Sequence, residues 1–222
     1  MSNRNRADQY KYSTTDVYEM YNIKRIGYVD IENDNLHPEF GHVLTIALLI
    51  RDVTSRDKVL EVKKYRVTQQ EIWDSIKTRK VDFDRRIVKA FFDDLKKYEI
   101  DLLIGHYAIG WNKHDLPFLR SRALLMKMED ILPKYRAIKY GDTWKMAHTT
   151  IKVHSYRLDS IGVVTQAASK KTRIEELEWQ LAKYGDKKGL DYVMDHNIKD
   201  VWLTYQVHKK IERFAAIPST YV

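Results

Sequence analysis

The sequence predicts an α/β domain built on a mixed sheet, three antiparallel strands first and parallel strands after them, flanked by helices. Three observations carry this. Runs rich in β-branched and aromatic residues fill residues 24–67 at hairpin spacing. Segments with helical apolar spacing follow, and among them lies one short, uninterrupted apolar run of the kind that fills a buried parallel strand. The 222 residues, 44% of them hydrophobic, suffice for one sizeable core. A single domain over residues 23–214 is expected, with a polar N-terminal arm at 1–22 and a short tail at 215–222.

The first strand is read over Lys24–Glu32 and ends where Asn33, Asp34 and Asn35 follow. Val43–Arg51 and Lys58–Val67 are the second and third. Gln69–Lys80 and Asp84–Tyr98 have helical spacing, the latter with Ile87, Phe91, Leu95 and Tyr98 on one stripe. Leu102–Gly105 is the buried strand, and Asp115–Lys127 the helix that completes a βα unit. Ala137–Tyr140 is a further strand and Arg157–Gln166 a short helix. The closing helix, Asp191–Phe214, has Val193, Ile198, Val201, Tyr205, Val207 and Ile211 as its apolar positions.

Composition narrows the chemistry. Lys and Arg number 39 against 31 Asp and Glu, a formal +8 that attracts polyanions, nucleic acid first among them. A merely solvated basic surface gives the same count, so charge leaves both open. The absence of cysteine excludes disulfides, a thiol nucleophile and any cysteine zinc site. Eight histidines are present, yet none lies in an H-E-x-x-H or comparable zinc spacing. No run reaches 18 apolar residues and the N-terminus has no apolar signal core. No membrane partner is therefore expected, and the expected location is the cytoplasm, or the host cytoplasm for a viral chain. Carboxylates, histidines and hydroxyls are left to act.

Three constellations stand out. Asp30 and Glu32, two apart near the end of a strand that reads as central, share one face by the strand period. Charges there are costly unless paired or metal-bound. Asp115 opens a helix after Leu103–Ile104 and a loop; alone it reads as a cap, with Asn112 and His114 as turn residues and Trp111 as packing. His196 and Asp200, four apart, share a helical face. Asp191 and Asp195 compete as acids, although Asp195 points away from that face.

Together these pieces, Val29-Asp-Ile-Glu32, Gly105 through Asp115-Leu-Pro-Phe-Leu-Arg-Ser-Arg122, and Tyr192 through His196-Asn-Ile-Lys-Asp200-Val201, resemble the motifs of the DEDD exonucleases over about residues 24–212. The likeness is greatest to stand-alone phage and archaeal relatives of the family-B DNA polymerase proofreading domain. The resemblance implies a ribonuclease H-like fold and 3′–5′ exonuclease activity. It implies that Asp30, Glu32, Asp115 and Asp200 bind two metal ions, with Asp30 bridging them, Glu32 and Asp200 sharing one and Asp115 serving the other. An all-oxygen ligand set selects Mg²⁺ or Mn²⁺. In that family the base is a tyrosine four residues before the last aspartate or a histidine five before it. Here His196 stands four before Asp200, a histidine in the tyrosine-type slot, with Tyr192 as the alternative.

The expected substrate is nucleic acid with a free 3′ end, single-stranded DNA ahead of RNA, with a replication or repair partner acting in trans. Tyr107, Trp111, Asn112, Arg120 and Arg122 are expected to touch it, and Trp144 and Tyr156 to stack on bases. Lys127, Lys134, Arg136 and Lys139, and the loop residues Lys170, Lys171 and Arg173, are read either as a phosphate track or as a solvated face. A catalytically silent binding module and an endonuclease of the same fold are the other readings.

Overall fold

The computed structural model describes residues 18–54, 57–108, 114–134, 136–173, 175–213 and 215. Strands β1 (Arg25–Asn33), β2 (Val43–Asp52) and β3 (Lys58–Arg66) form an antiparallel meander. β4 (Leu102–Gly105) pairs parallel to β1, and β5 (Lys139–Asp142) parallel to β4. The chain is thus α/β, with one five-stranded mixed open sheet in the order β3-β2-β1-β4-β5. The helices are α1 (Gln69–Thr78), α2 (Arg85–Lys97), α3 (Asp115–Leu125), α4 (Thr143–Thr150), α5 (Leu158–Val164), α6 (Glu176–Lys183) and α7 (Lys187–Ile211).

The strand period sorts β1 between two layers. Val29 and Ile31 face α2 and α3, packing with Phe91, Phe92, Leu95 and Leu119. Ile26 and Tyr28 face the other way, onto Met194 and Val201 of α7. Apolar residues on both sides explain why β2 reads as a continuous hydrophobic run instead of an alternating one. Burying a side chain such as Phe91 contributes about 1.5–3 kcal/mol, and the whole stripe Ile87, Phe91, Leu95 is buried. α4 and α5 close over the far part of α7, where Met146, Leu158 and Ile161 meet Leu203, Val207 and Ile211.

Several expectations need correction. α4 and α6 were not anticipated: α4 buries only Met146 and Ala147 of its apolar residues and α6 only Ala182, so neither carries a periodic stripe, and Leu177 and Leu181 of α6 face solvent. α4 begins because the Asp142 carboxylate accepts from Trp144 N, and α7 starts at Lys187, earlier than expected, because Asp186 accepts from Gly189 N. Ile23, where the domain was expected to begin, is buried, and so is Tyr18, within the expected arm.

Tyr18 belongs to a buried ionic network. Arg51, 1% exposed, bonds Asp57 through Nε (2.5 Å), and Glu212 (2.7 Å) and the Tyr28 hydroxyl (3.1 Å) through Nη1. The Tyr18 hydroxyl donates to Glu212 at 2.5 Å, and Tyr28 OH lies 2.7 Å from His208 Nδ1. Burial drives the His208 pKa down to about 3 against the pull of Glu212, so this imidazole is neutral.

A second buried pair overturns the substrate role expected for Arg122. Its Nε and Nη2 each lie 2.8 Å from the Asp84 carboxylate, and its other bonds go to the carbonyls of Pro38 and Val81. With 3% of the side chain exposed, no nitrogen is left for a phosphate. Among the described residues, no helix is long and apolar enough to cross a membrane.

Candidate active site

The carboxylates meet at the C-terminal ends of the parallel strands, where open α/β sheets place their ligands. Asp30 and Glu32 share the α7 face of β1 with Tyr28 by the strand period. α7 presents His196 and Asp200 one turn apart, both 2% exposed. Asp115 is the first residue of α3 and 7% exposed; the cap position before it is His114, which makes no side-chain capping bond. Asp115 is therefore a buried acid of the cluster instead of a cap. His114 Nε2 instead pairs with Asn33 Nδ2 at 2.6 Å.

Burial and mutual repulsion raise the proton affinity of these acids. Asp30 is pushed well above the ordinary carboxylate range by burial first, then by Glu32, Asp115 and Asp200. Glu32 is pushed up to about 8 by burial, then by Asp200 and Asp115. Asp115 also rises to about 8, from burial and then Asp142. Asp30 Oδ2, Asp115 Oδ2 and Asp200 Oδ1 are buried with no hydrogen-bond partner.

The compensating charge is Lys171, whose Nζ lies 2.6 Å from Asp200 Oδ2 and lowers the pKa of Asp30, Glu32 and Asp115. Among the described residues, no three His, Asp or Glu side chains stand ready around one metal-sized point. The chemistry of the donors nonetheless fits a hard cation. Orphaned carboxylate oxygens from β1, α3 and α7 are hard-cation ligands, and a desolvated acid cluster needs positive charge beyond one ammonium.

His196 Nε2 lies 3.8 Å from Glu32 Oε1 and 3.7 Å from Asp200 Oδ2. Its pKa falls through burial, which outweighs Asp200, so the ring is neutral near pH 7. Tyr192 is otherwise engaged: its hydroxyl donates to Arg173 O (2.7 Å) and accepts from Glu175 N (2.8 Å). It anchors the backbone at Arg173 and Glu175.

A cavity of about 580 Å³ opens beside the acids, lined by Asp30, Asp200, Lys171, Arg157, His106 and an aromatic wall of Tyr107, Trp144 and Tyr156. Trp144 stacks on His148 at 5.1 Å and meets Tyr107 edge-on at 5.7 Å. Asp142 builds the wall: its carboxylate accepts from Tyr107 N, Ala108 N and Trp144 N, and this fixes Tyr107 at φ 59°. Gly105 precedes this turn because a Cβ there would stand 2.3 Å from Ala108 Cβ.

Other expected contacts fall elsewhere. Trp111 and Asn112 lie outside the described residues. Arg120 donates to Tyr140 OH at 2.9 Å and lies over its ring, in the α2–α3 layer. Lys127, Lys134, Arg136 and Lys139 follow α3, which leads roughly 16 Å away from Asp115 at about 1.5 Å per residue. They approach β5 at Lys139, paired with Leu102, opposite the Gly105–Asp142 end. The residues that the sequence reading missed are His106, Asp142, Arg157 and Thr172, whose hydroxyl lies 2.7 Å from His196 Nδ1. Asp142 carried a usable signal, an acid at the end of a strand, as Glu32 is near the end of β1. His106, bonded to Thr143 Oγ1 at 2.9 Å and pushed down to about 4 mainly by burial, carried none.

The raised acids tie stability to pH. In the metal-free protein Glu32 and Asp115 hold protons to about pH 8, whereas in the unfolded chain they lose them near 4. Their stabilising contribution is present below pH 4 and disappears as pH rises through 8. The melting temperature without divalent ions is expected to fall between pH 6 and 9, and Mn²⁺ to restore more of it at pH 8.5 than at 6, because cations compete with protons. Calorimetry checks this; a metal-free melting temperature that rises from pH 6 to 9 contradicts it.

No model of a known protein family matches the chain, and no curated protein matches it.

Proposed function

We propose that this protein is a metal-dependent 3′–5′ exonuclease of the DEDD type on a ribonuclease H-like domain, with DNA ahead of RNA as substrate. The observation that carries the reading is the set of three buried, unpartnered carboxylate oxygens contributed by β1, α3 and α7 beside His196. A meander followed by parallel strands supports the fold assignment.

Asp30, Glu32, Asp115 and Asp200 would hold Mg²⁺ or Mn²⁺, which supplies a Lewis acid for the phosphoryl group and offsets charge on the leaving oxygen. The protein's own side chains do the rest. Neutral His196 takes the proton of the attacking water at Nε2, the atom that faces the acids. Tyr107, Trp144 and Tyr156 offer faces and edges to a terminal base, a contact indifferent to sequence. Lys171 and Arg157 bring positive charge to the same cavity, and its walls limit how much water surrounds the reacting phosphate.

Incubation with Mg²⁺ or Mn²⁺ and 5′-labelled single-stranded and duplex DNA and RNA tests the proposal. A ladder shortening from the 3′ end is the expected result. Internal cuts would make the protein an endonuclease, and tight binding without cleavage a silent binding module. His196→Ala is expected to lower the cleavage rate by about 10²–10⁴-fold, the usual contribution of a positioned base. A near-wild-type single-turnover rate would take that role from His196.

A further inference from the structure

Ser169 to Arg173, together with Glu175, form a strap laid along α7 and held mainly by side-chain bonds. Ser169 N donates to Gln206 Oε1 at 2.8 Å, Lys171 Nζ to Asp200 Oδ2 at 2.6 Å, and Glu175 N to Tyr192 OH at 2.8 Å. Between them the Thr172 hydroxyl lies 2.7 Å from His196 Nδ1. The strap therefore touches both functional residues of α7, one by charge and one by a neutral hydrogen bond.

The bond to Thr172 decides which way the imidazole faces. Rotating a histidine ring by about 180° exchanges the positions of its nitrogens and carbons, so a ring without a partner at Nδ1 has two nearly equivalent placements. Trp179 meets the His196 ring edge-on at 87° and 6.4 Å, a contact that fills space without distinguishing nitrogen from carbon. Thr172 does distinguish them. Its bond to Nδ1 leaves Nε2 as the nitrogen directed at Glu32 and Asp200. A hydroxyl suits this position because it both donates and accepts, and so keeps its bond whichever nitrogen carries the proton.

We propose that Thr172 is a positioning residue for this site, holding His196 by Nδ1 so that Nε2 faces the acids. The assignment rests on the exonuclease reading for its consequence and on the strap geometry for its existence. Thr172 itself touches no reacting atom; it acts only through the ring.

Thr172→Val, nearly isosteric, removes the hydroxyl, and Thr172→Ser keeps it. Two readouts separate the inference from the exonuclease reading. In the metal-free protein, ¹⁵N spectra of the His196 ring are expected to shift at Nδ1 in Thr172→Val and to stay near wild type in Thr172→Ser. In Mg²⁺-dependent cleavage, Thr172→Val is expected to lower kcat about tenfold with KM unchanged, and Thr172→Ser to restore it. Unchanged ring nitrogens in Thr172→Val overturn the inference, as does an unchanged kcat. A wild-type protein that cleaves nothing removes the exonuclease reading, while the spectra still decide whether Thr172 holds the ring.

Discussion

Asp30→Asn is expected to remove divalent-metal-dependent cleavage and, in the same molecule, to raise the melting temperature of the metal-free protein. Both effects come from one cause. Asp30 is buried among Glu32, Asp115 and Asp200, and its Oδ2 has no partner. The neutral amide keeps the shape and removes an acid whose ionisation is penalised by burial and three neighbouring acids. The lost cleavage should exceed the roughly 10²–10⁴-fold attributable to a single positioned base, because a ligand is removed. The gain in stability follows the trade-off expected where a site holds strain for function. For a chain of this size each kcal/mol moves the midpoint by about 2–4 °C. Asp200→Asn is expected to lose cleavage likewise, with a smaller thermal gain, since Lys171 already pairs with Asp200. A pure Asp30→Asn protein that still degrades DNA at the wild-type rate ends the nuclease reading. One that melts lower than wild type would show that the acid is satisfied in the folded state.

The second large effect concerns a residue without a place in the chemistry. Arg122→Ala is expected to destabilise the protein by about 3–5 kcal/mol, the usual cost of stranding one partner of a buried ion pair. Asp84, fully buried, would be left, among the described residues, with the backbone N–H of Val43 as the remaining partner of its carboxyl. The carbonyls of Pro38 and Val81 would also lose their donor. Chemical denaturation of Arg122→Ala beside Arg122→Ala/Asp84→Ala separates the terms, because removing both partners should recover part of the loss. If Arg122→Ala leaves the midpoint unchanged and weakens only DNA binding, the buried role is wrong and Arg122 faces substrate after all.

Arg122 also shows where sequence reading gives out. Its neighbours in sequence, an acid at 115 and an arginine at 120, made it look like part of a phosphate track. What turns it inward is Asp84, 38 positions earlier, a partner that no local pattern announces. Elements with a strong period or a continuous apolar run were legible: β1 to β4, α2 and α7 came out in kind and order, with boundaries displaced by a few residues at most. So were Asp30 and Glu32, because a strand period places side chains without reference to the rest of the fold. α4 and α6 were not, since α4 buries only Met146 and Ala147 of its apolar residues and α6 only Ala182. Lys171 was noticed only as a member of a basic run, and its contact with Asp200 depends on how a loop without secondary structure crosses a helix.

One consequence of α7 reaches back to the making of the chain. Asp30 and Asp200 stand 170 positions apart (200 minus 30), and the helix carrying Asp200 also covers the Tyr28 face of the sheet. The meander, whose partners are near in sequence, can pair early, whereas α7 (Lys187–Ile211) has to reach back to strands in residues 25–52. The acid cluster is therefore complete only when that helix is in place. A nascent chain that has not yet docked α7 holds Asp30 and Glu32 without Asp200.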